Sequence, residues 1–382
     1  MTTGRENVGT VEDLHASASK ITGMTDFGED DDHYIAGLEK LLESYAKDAA
    51  LTPAGNKMMR AFLRGALVAR LLAEHSMKEH PEYAQVPIER PIFVTGLPRT
   101  GTTALHRLLT ADPAHQGLEV WLAEVPQPRP PRETWADNPM FQGIQAGYER
   151  HHIEQPEFMG VHYMSADMVE ECWQLLRQSM QSISFECLAH IPAYSAWLDA
   201  QDWTPAYRRH KRNLQLIGLP DAGRRWVLKN PSHLFALDAI MEVYPDALII
   251  QTHRPPRTAM ASMCSLAAHA SDGCSTVFEG AVIGEDQLEL WSRGLNQFRA
   301  ERAKHDQAQF FDVDYAGFIS DPLGTVEAAY AHFGLPFADT TRSAMAELHE
   351  ENRSGAGQPV HGYNLSDFGL TPEQIDARFP AD

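Results

Sequence analysis

What this chain lacks narrows it first. It holds four cysteines in 382 residues, Cys172, Cys187, Cys264 and Cys274, and no two of them form a C-x-x-C pair. That is too few for a disulfide framework and offers no zinc spacing. No run of about 18 apolar residues occurs, so no spanning helix is expected and membrane contact is transient at most. The opening MTTGRENVGTVEDLH lacks a basic stretch followed by an apolar one, so no secretory signal is read and a cytoplasmic protein is expected. Basic residues are also scarce, 32 against 52 acidic ones, for a formal net charge of −20. So acidic a chain repels phosphate backbones, and nucleic acid is not expected as a partner. With 43% apolar and 22% charged residues the chain is globular rather than disordered.

The patterning then divides the chain. Residues 1–33 are loosely patterned and end in the acidic string GEDDD at 28–32, which lacks the spaced ligands and distal Glu of a calcium loop. Two helical patterns follow, HYIAGLEKLLESYAKDA and NKMMRAFLRGALVARLLAEH, the second with Leu63, Leu67, Leu71 and Leu72 on one face. Thr52-Pro53 supplies a cap and a first-turn proline between them. Residues 1–88 are therefore expected to form an N-terminal helical segment. At residue 91 the texture changes. PIFVTG reads as a buried strand stopping at a glycine-rich turn, and TTALHRLLTAD as the helix after it. A second unit runs from Trp226-Val227-Leu228 through the helix HLFALDAIMEVY to the strand ALIIQTH, and FFDVDY supplies a last strand. Residues 89–382 are expected as one α/β domain with a helical insertion at about 138–218, interrupted near Pro156, Pro192 and Pro205. The fold class that follows is a three-layer parallel sheet of the P-loop nucleotide-kinase kind. The run Arg208-Arg209-His210-Lys211-Arg212 stands out in so acidic a chain and reads as a solvated helix face.

The turn at 96–103 carries the chemistry. Gly96-Leu97-Pro98-Arg99-Thr100-Gly101-Thr102-Thr103 has the glycine spacing of G-x-x-x-x-G-K-[ST], set between strand and helix as a phosphate cradle requires. Its backbone N–H groups and the helix N-terminus would face an anion. Thr102 stands where the ATP-binding loop has its lysine, and the positive charge has moved to Arg99. An ATP enzyme also needs an acidic magnesium ligand at a second strand end. Here the strand ends read Leu228-Lys229-Asn230 and Thr252-His253-Arg254, each with a cation and no carboxylate. The site is built for an anionic group without a metal.

These motifs resemble those of sulfotransferases that use 3′-phosphoadenosine 5′-phosphosulfate (PAPS), in the bacterial branch whose loop reads L-P-R-[ST]-G-T-T. The resemblance covers about residues 90–365. It implies that Arg99, Thr100, Gly101, Thr102 and Thr103 hold the 5′-phosphosulfate. Arg254, followed at the family's interval by Ser262, would hold the 3′-phosphate. Lys229, in V-L-K-N-P-S-H, is similar to the strand-end lysine that stabilises the transferring group. The Gly-rich segment after Glu351 resembles the loop that folds over the donor, with Arg353 as a cation and Tyr363 as a lid contact. The implied reaction moves a sulfuryl group to a hydroxyl of a carbohydrate, glycolipid or small-molecule acceptor, with no metal.

The base for the hydroxyl proton stays open among Glu119, the pair Glu170-Glu171 in DMVEECWQLL, and His233. A carboxylate would need a partly apolar site to raise its pKa, a histidine little shift. Two other readings remain: a P-loop small-molecule kinase, and a nucleotide-binding protein without catalysis.

Overall fold

The computed structural model describes residues 5–28, 33–154, 164–354 and 364–379, with only the backbone of 352–354. Five strands form one parallel sheet: β1 (Ile92–Gly96), β2 (His115–Gln116), β3 (Arg225–Lys229), β4 (Leu248–His253) and β5 (Phe310–Asp314). Their spatial order is β2-β3-β1-β4-β5. β1 lies at the centre, with Phe93 in register with Leu228 on one side and Ile249 on the other. All five residues of β1 are buried, as expected of a parallel strand covered on both faces. The very short edge strand β2 carries no alternation or apolar run, and its pairing with β3 comes from tertiary structure alone.

Alternation along the strands divides the side chains between two cores. Phe93, Leu228 and Ile249 face a large core shared with the N-terminal helices and with residues of the 164–217 region. Ile92, Val94, Val227, Leu248 and Ile250 face a second core against helix α4 (Thr102–Thr110) and the helix Pro322–Phe333. The result is the three-layer α/β arrangement.

The N-terminal helices α1 (Val11–Thr22), α2 (His33–Lys47) and α3 (Pro53–Glu79) pack onto this body. Thr52 caps α3 by accepting from the Gly55 N–H at 3.0 Å, with Pro53 in the first turn. Leu63, Leu67 and Leu71 are fully buried. Gly55 has a steric reason: a Cβ there would lie 1.9 Å from the Cys274 carbonyl oxygen.

Three stretches differ from the expected patterns, the first being residues 178–191, which form turns and irregular structure in place of helix. Residues 164–172 are not helical: the Val120 N–H donates to Met168 O, Trp121 N–H to Ala166 O and Glu170 N–H to Leu118 O. The strand-like partner offered by 118–121 outweighs the helical propensity of DMVEEC. The basic run 208–212 is a solvated face only in part: Arg208 is exposed, but the next two residues turn inward. Arg209 is 1% exposed and His210 is fully buried. Arg209 donates to Glu74 Oε1 at 2.6 Å and to Gln178 Oε1 at 3.0 Å, joining this helix (Thr204–Ile217) to α3. The acidic string at 29–32 lies outside the described residues. No helix among those described is long and apolar enough to cross a membrane.

The Glu74–Arg209 pair gives a stability prediction. Glu74→Ala leaves a buried guanidinium without its carboxylate and should cost about 3–5 kcal/mol. Burial alone would raise the Glu74 pKa, but Arg209 outweighs it and holds the pKa below the usual range. The pair's contribution is therefore present at neutral pH and lost as pH falls through that lowered value. Urea unfolding of the variant at pH 7 and pH 4 checks both: a deficit at pH 7 that shrinks in acid is expected.

Candidate active site

The carboxyl ends of β1, β3 and β4 meet where the sheet order reverses around β1, the place where open parallel sheets hold ligands. β1 ends at Gly96, with φ of 143° and its Cα against Thr252, a position with no room for a side chain. The loop then passes through Arg99 (φ 68°) and Gly101 (φ 90°), both in the left-handed region. Gly101 is the N-cap of α4, and no side chain caps that helix. Its first N–H groups are thus left for an anion. Thr100 is turned inward: its hydroxyl bonds Leu97 O and the Thr252 hydroxyl, both at 2.6 Å, and pins the loop to β4.

Arg99 and the Arg254/Ser262 pair come together. Arg99 Nε donates to Ser262 Oγ at 3.1 Å, and Arg254 donates to the Arg99 carbonyl at 2.9 Å. The Arg254 guanidinium lies over the Tyr315 ring, 4.5 Å from its centroid. Arg99, Arg107 and Arg254, with Thr102, Thr103, Tyr315 and His349, line a cavity of about 720 Å³. Three arginines around one cavity concentrate positive potential in an otherwise acidic molecule.

Lys229, the last residue of β3, is 1% exposed. Its ammonium donates to Thr103 Oγ1 at 3.0 Å and reaches Glu171 Oε1 at 2.7 Å and Glu170 Oε1 at 3.3 Å. Burial pulls its pKa down, but the two carboxylates outweigh burial and hold it above the usual lysine range. The extended segment 164–172 delivers these carboxylates, and the Cys172 N–H closes the join by donating to Lys229 O at 3.1 Å. Glu170 and Glu171 line a second cavity, of about 820 Å³. Its walls are largely apolar and include Met58 and Phe62 of α3, Ile144 of the helix Pro139–Glu154, Met164 and Trp173. Thr103 belongs to the arginine-lined cavity and Glu170 and Glu171 to the apolar one, so Lys229 stands between the two.

The other candidates lie elsewhere. Glu119 is paired with Arg129, which donates from Nε at 3.2 Å and also binds Gln116, Gly117 O and Asp221. Burial pushes the Glu119 pKa up, partly countered by Arg129. It lines neither cavity. His233 is 1% exposed, with Nδ1 2.6 Å from the Tyr207 hydroxyl, and burial drives its pKa well below the usual value. Arg353 falls in the last turn of the helix Asp339–Ser354, where only the backbone is described, and Tyr363 lies outside the described residues. Two cavity residues escaped the sequence reading though signals existed. Arg107 shares a helix face with Thr103 at i, i+4, and Tyr315 directly follows the last strand.

With this geometry in place, comparison with known proteins identifies the class. Residues 91–339 match the model of the sulfotransferase family. The chain belongs to that family and is an enzyme that transfers sulfate. Among solved structures, it is similar to sulfotransferase STF1 from Mycobacterium tuberculosis H37Rv: 60% identity and a TM-score of 0.92, covering 98% of this chain and all of that one. It also resembles STF9 from Mycobacterium avium, at 25% identity and a TM-score of 0.88, over 99% of this chain and 96% of that one. Among curated proteins it is 27% identical over 252 residues to the omega-hydroxy-beta-dihydromenaquinone-9 sulfotransferase Stf3 of Mycobacterium bovis and of Mycobacterium tuberculosis. That match takes in 64% of this chain and 63% of the relatives' length.

Two expectations follow from the Lys229 cluster. Lys229→Met should lower kcat by roughly two to three orders of magnitude, the scale of removing one preorganised charge donor from a reacting centre. Because its folded pKa is raised, Lys229 stays charged through the neutral range and loses its proton only above about pH 10.4. A pH–rate profile from 6 to 9 should therefore show no alkaline fall traceable to this residue, and one that disappears in Lys229→Arg would contradict the assignment.

Proposed function

We propose that the enzyme moves a sulfuryl group from PAPS to a hydroxyl of an acceptor with a large apolar body. The observation that carries this reading is Lys229, held between an arginine-lined cavity and an apolar one with two carboxylates on the apolar side. The donor site fits a nucleotide with two separated anionic groups. The uncapped α4 N-terminus and Thr103 would face one; Arg254 and Ser262, with Arg99 between the two devices, would face the other. Bound PAPS supplies the sulfuryl group and a 3′-phosphoadenosine 5′-phosphate leaving group.

The chain's own residues do the rest. Lys229 presents its ammonium beside Thr103, where negative charge builds up on the oxygens in transit. Arg99 and Arg254 anchor the nucleotide and keep its orientation fixed. Glu171, with Glu170 beside it, accepts the acceptor's hydroxyl proton at a carboxylate oxygen that faces the apolar cavity. The apolar lining supports a lipid-like acceptor over a bare carbohydrate, and the relatives named for a hydroxylated menaquinone act on an acceptor of that kind.

Calorimetric titration with 3′-phosphoadenosine 5′-phosphate, adenosine 5′-phosphate and ATP–Mg²⁺ tests the donor half. Binding that requires the 3′-phosphate is expected; preference for ATP–Mg²⁺ would return the site to the kinase reading. Arg254→Ala should weaken the 3′-phosphorylated nucleotide by about ten- to a hundredfold, the worth of one charge-assisted contact. An equal loss for adenosine 5′-phosphate would contradict its place at the 3′-phosphate.

A further inference from the structure

Arg177 is a half-buried charge that the proposed reaction does not use. It ends the short helix Trp173–Arg177 and lines the apolar cavity with Glu171, Trp173 and Phe62. Its Nε donates to Ser184 Oγ at 2.8 Å and one terminal nitrogen to Gln174 Oε1 at 3.2 Å. The guanidinium carbon lies 4.8 Å from the centroid of Phe62 and 5.9 Å from that of Phe185. Among the described residues no carboxylate comes within ion-pair distance of it. Four other arginines differ: Arg60 has Asp13, Arg129 has Glu119 and Asp221, Arg209 has Glu74, and Arg293 has Glu186, while the fully buried Arg70 donates to the Phe27 and Gln178 carbonyls.

The groups around Arg177 explain why none serves. Tyr45, Cys187 and Tyr148 are neutral, and burial raises the pKa of each. Glu124 bonds to Gln174, which stands between it and Arg177, and accepts from the Tyr148 hydroxyl at 3.0 Å. Burial pushes its pKa up, countered in part by the bonds to Tyr148 and Gln174 and by the Arg177 charge. Desolvation likewise works against the Arg177 charge. A half-buried guanidinium held by a hydroxyl, an amide and two rings has, among the described residues, no carboxylate as its complement. The second terminal nitrogen has no partner among the described residues, and the residue lines the cavity.

We propose that Arg177 is a subsite for a carboxylate carried by the acceptor, so that the enzyme's substrates are hydroxy acids whose apolar body joins the two polar ends. This rests on the reading of the apolar cavity as the acceptor site. Glu171 and Arg177 both line this cavity, so a ligand with a polar group at each end can meet both. The hydroxyl faces Glu171 and Lys229; the carboxylate meets the fork of Arg177.

The test uses the full chain with octanoate and 1-octanol as probes and 8-hydroxyoctanoate as an acceptor. By calorimetry, octanoate should bind at least about tenfold more tightly than 1-octanol, the scale of a charge-assisted fork. That preference should vanish in Arg177→Gln and survive in part in Arg177→Lys. Binding of 3′-phosphoadenosine 5′-phosphate should stay unchanged in both, reporting an intact fold; if Arg177→Gln fails to fold, the Lys variant and the wild-type preference decide. Equal affinity for the two probes in the wild type, or a preference that survives Arg177→Gln, overturns the subsite. With labelled PAPS, 8-hydroxyoctanoate should be sulfated faster than 1-octanol. If octanoate binds through Arg177 while 8-hydroxyoctanoate receives no sulfate, the anion subsite stands and the acceptor reading of the cavity falls.

Discussion

A lysine ammonium taken out of water at the end of a central strand is costly unless its charge is met, and much of this molecule is arranged to meet it. Lys229 sits next to β1 in the sheet, so its ammonium comes out at the level of the loop that follows β1, where Thr103 accepts one of its protons. Glu170 and Glu171 satisfy the rest. They can do so because residues 164–172 abandon helical geometry and lie along 118–121. The insertion thus acts as a counter-charge carrier delivered to the sheet. Remove the need to neutralise Lys229 and there is no electrostatic reason for two adjacent carboxylates to be turned inward.

The same join separates two chemical environments. On the α4 side the cavity is ringed by arginines and an uncapped helix N-terminus; on the other side its walls are largely apolar, with Glu170, Glu171 and Arg177 among them. Lys229 forms the join between the two, bonded to Thr103 on one side and to Glu170 and Glu171 on the other. The N-terminal helices belong to this division as well, since Met58 and Phe62 of α3 form part of the apolar wall and Gly55 lets α3 approach the 273–274 loop closely. Docking of α3 is fixed by Thr52 at one end and by the Glu74–Arg209 pair farther along. These contacts carry a stability role and a site-forming role together.

Buried histidines show how differently similar groups are treated. His106, His210 and His233 lie near one another in the core, and burial keeps each neutral. His233 follows Lys229 by four residues, yet its ring is turned to Tyr207 and away from both cavities. Sequence proximity to Lys229 is a weak guide here, because the 3₁₀ turn Pro231–Phe235 rotates the side chain into the core.

The loop, the central strands and the α3 cap were legible in the sequence, since each rests on local rules: glycine where φ is positive, apolar runs where both faces are covered, threonine-proline at a helix start. The Arg254–Ser262 interval was legible too, though not the bond from Arg99 to Ser262, which needs β1 and β4 side by side. Among the base candidates the sequence left Glu119 and the Glu170-Glu171 pair on nearly equal terms, with His233 behind them. Tertiary structure separated them. Glu119 is held by Arg129, from a proline-rich loop; His233 is sealed by Tyr207; only the pair reaches Lys229. The basic run at 208–212 was partly misjudged for the same reason, because the counter-charge of Arg209, Glu74, is 135 residues away along the chain. Local conformational preference is written residue by residue, but which charge meets which depends on contacts between distant segments, and those exist only once the chain has folded.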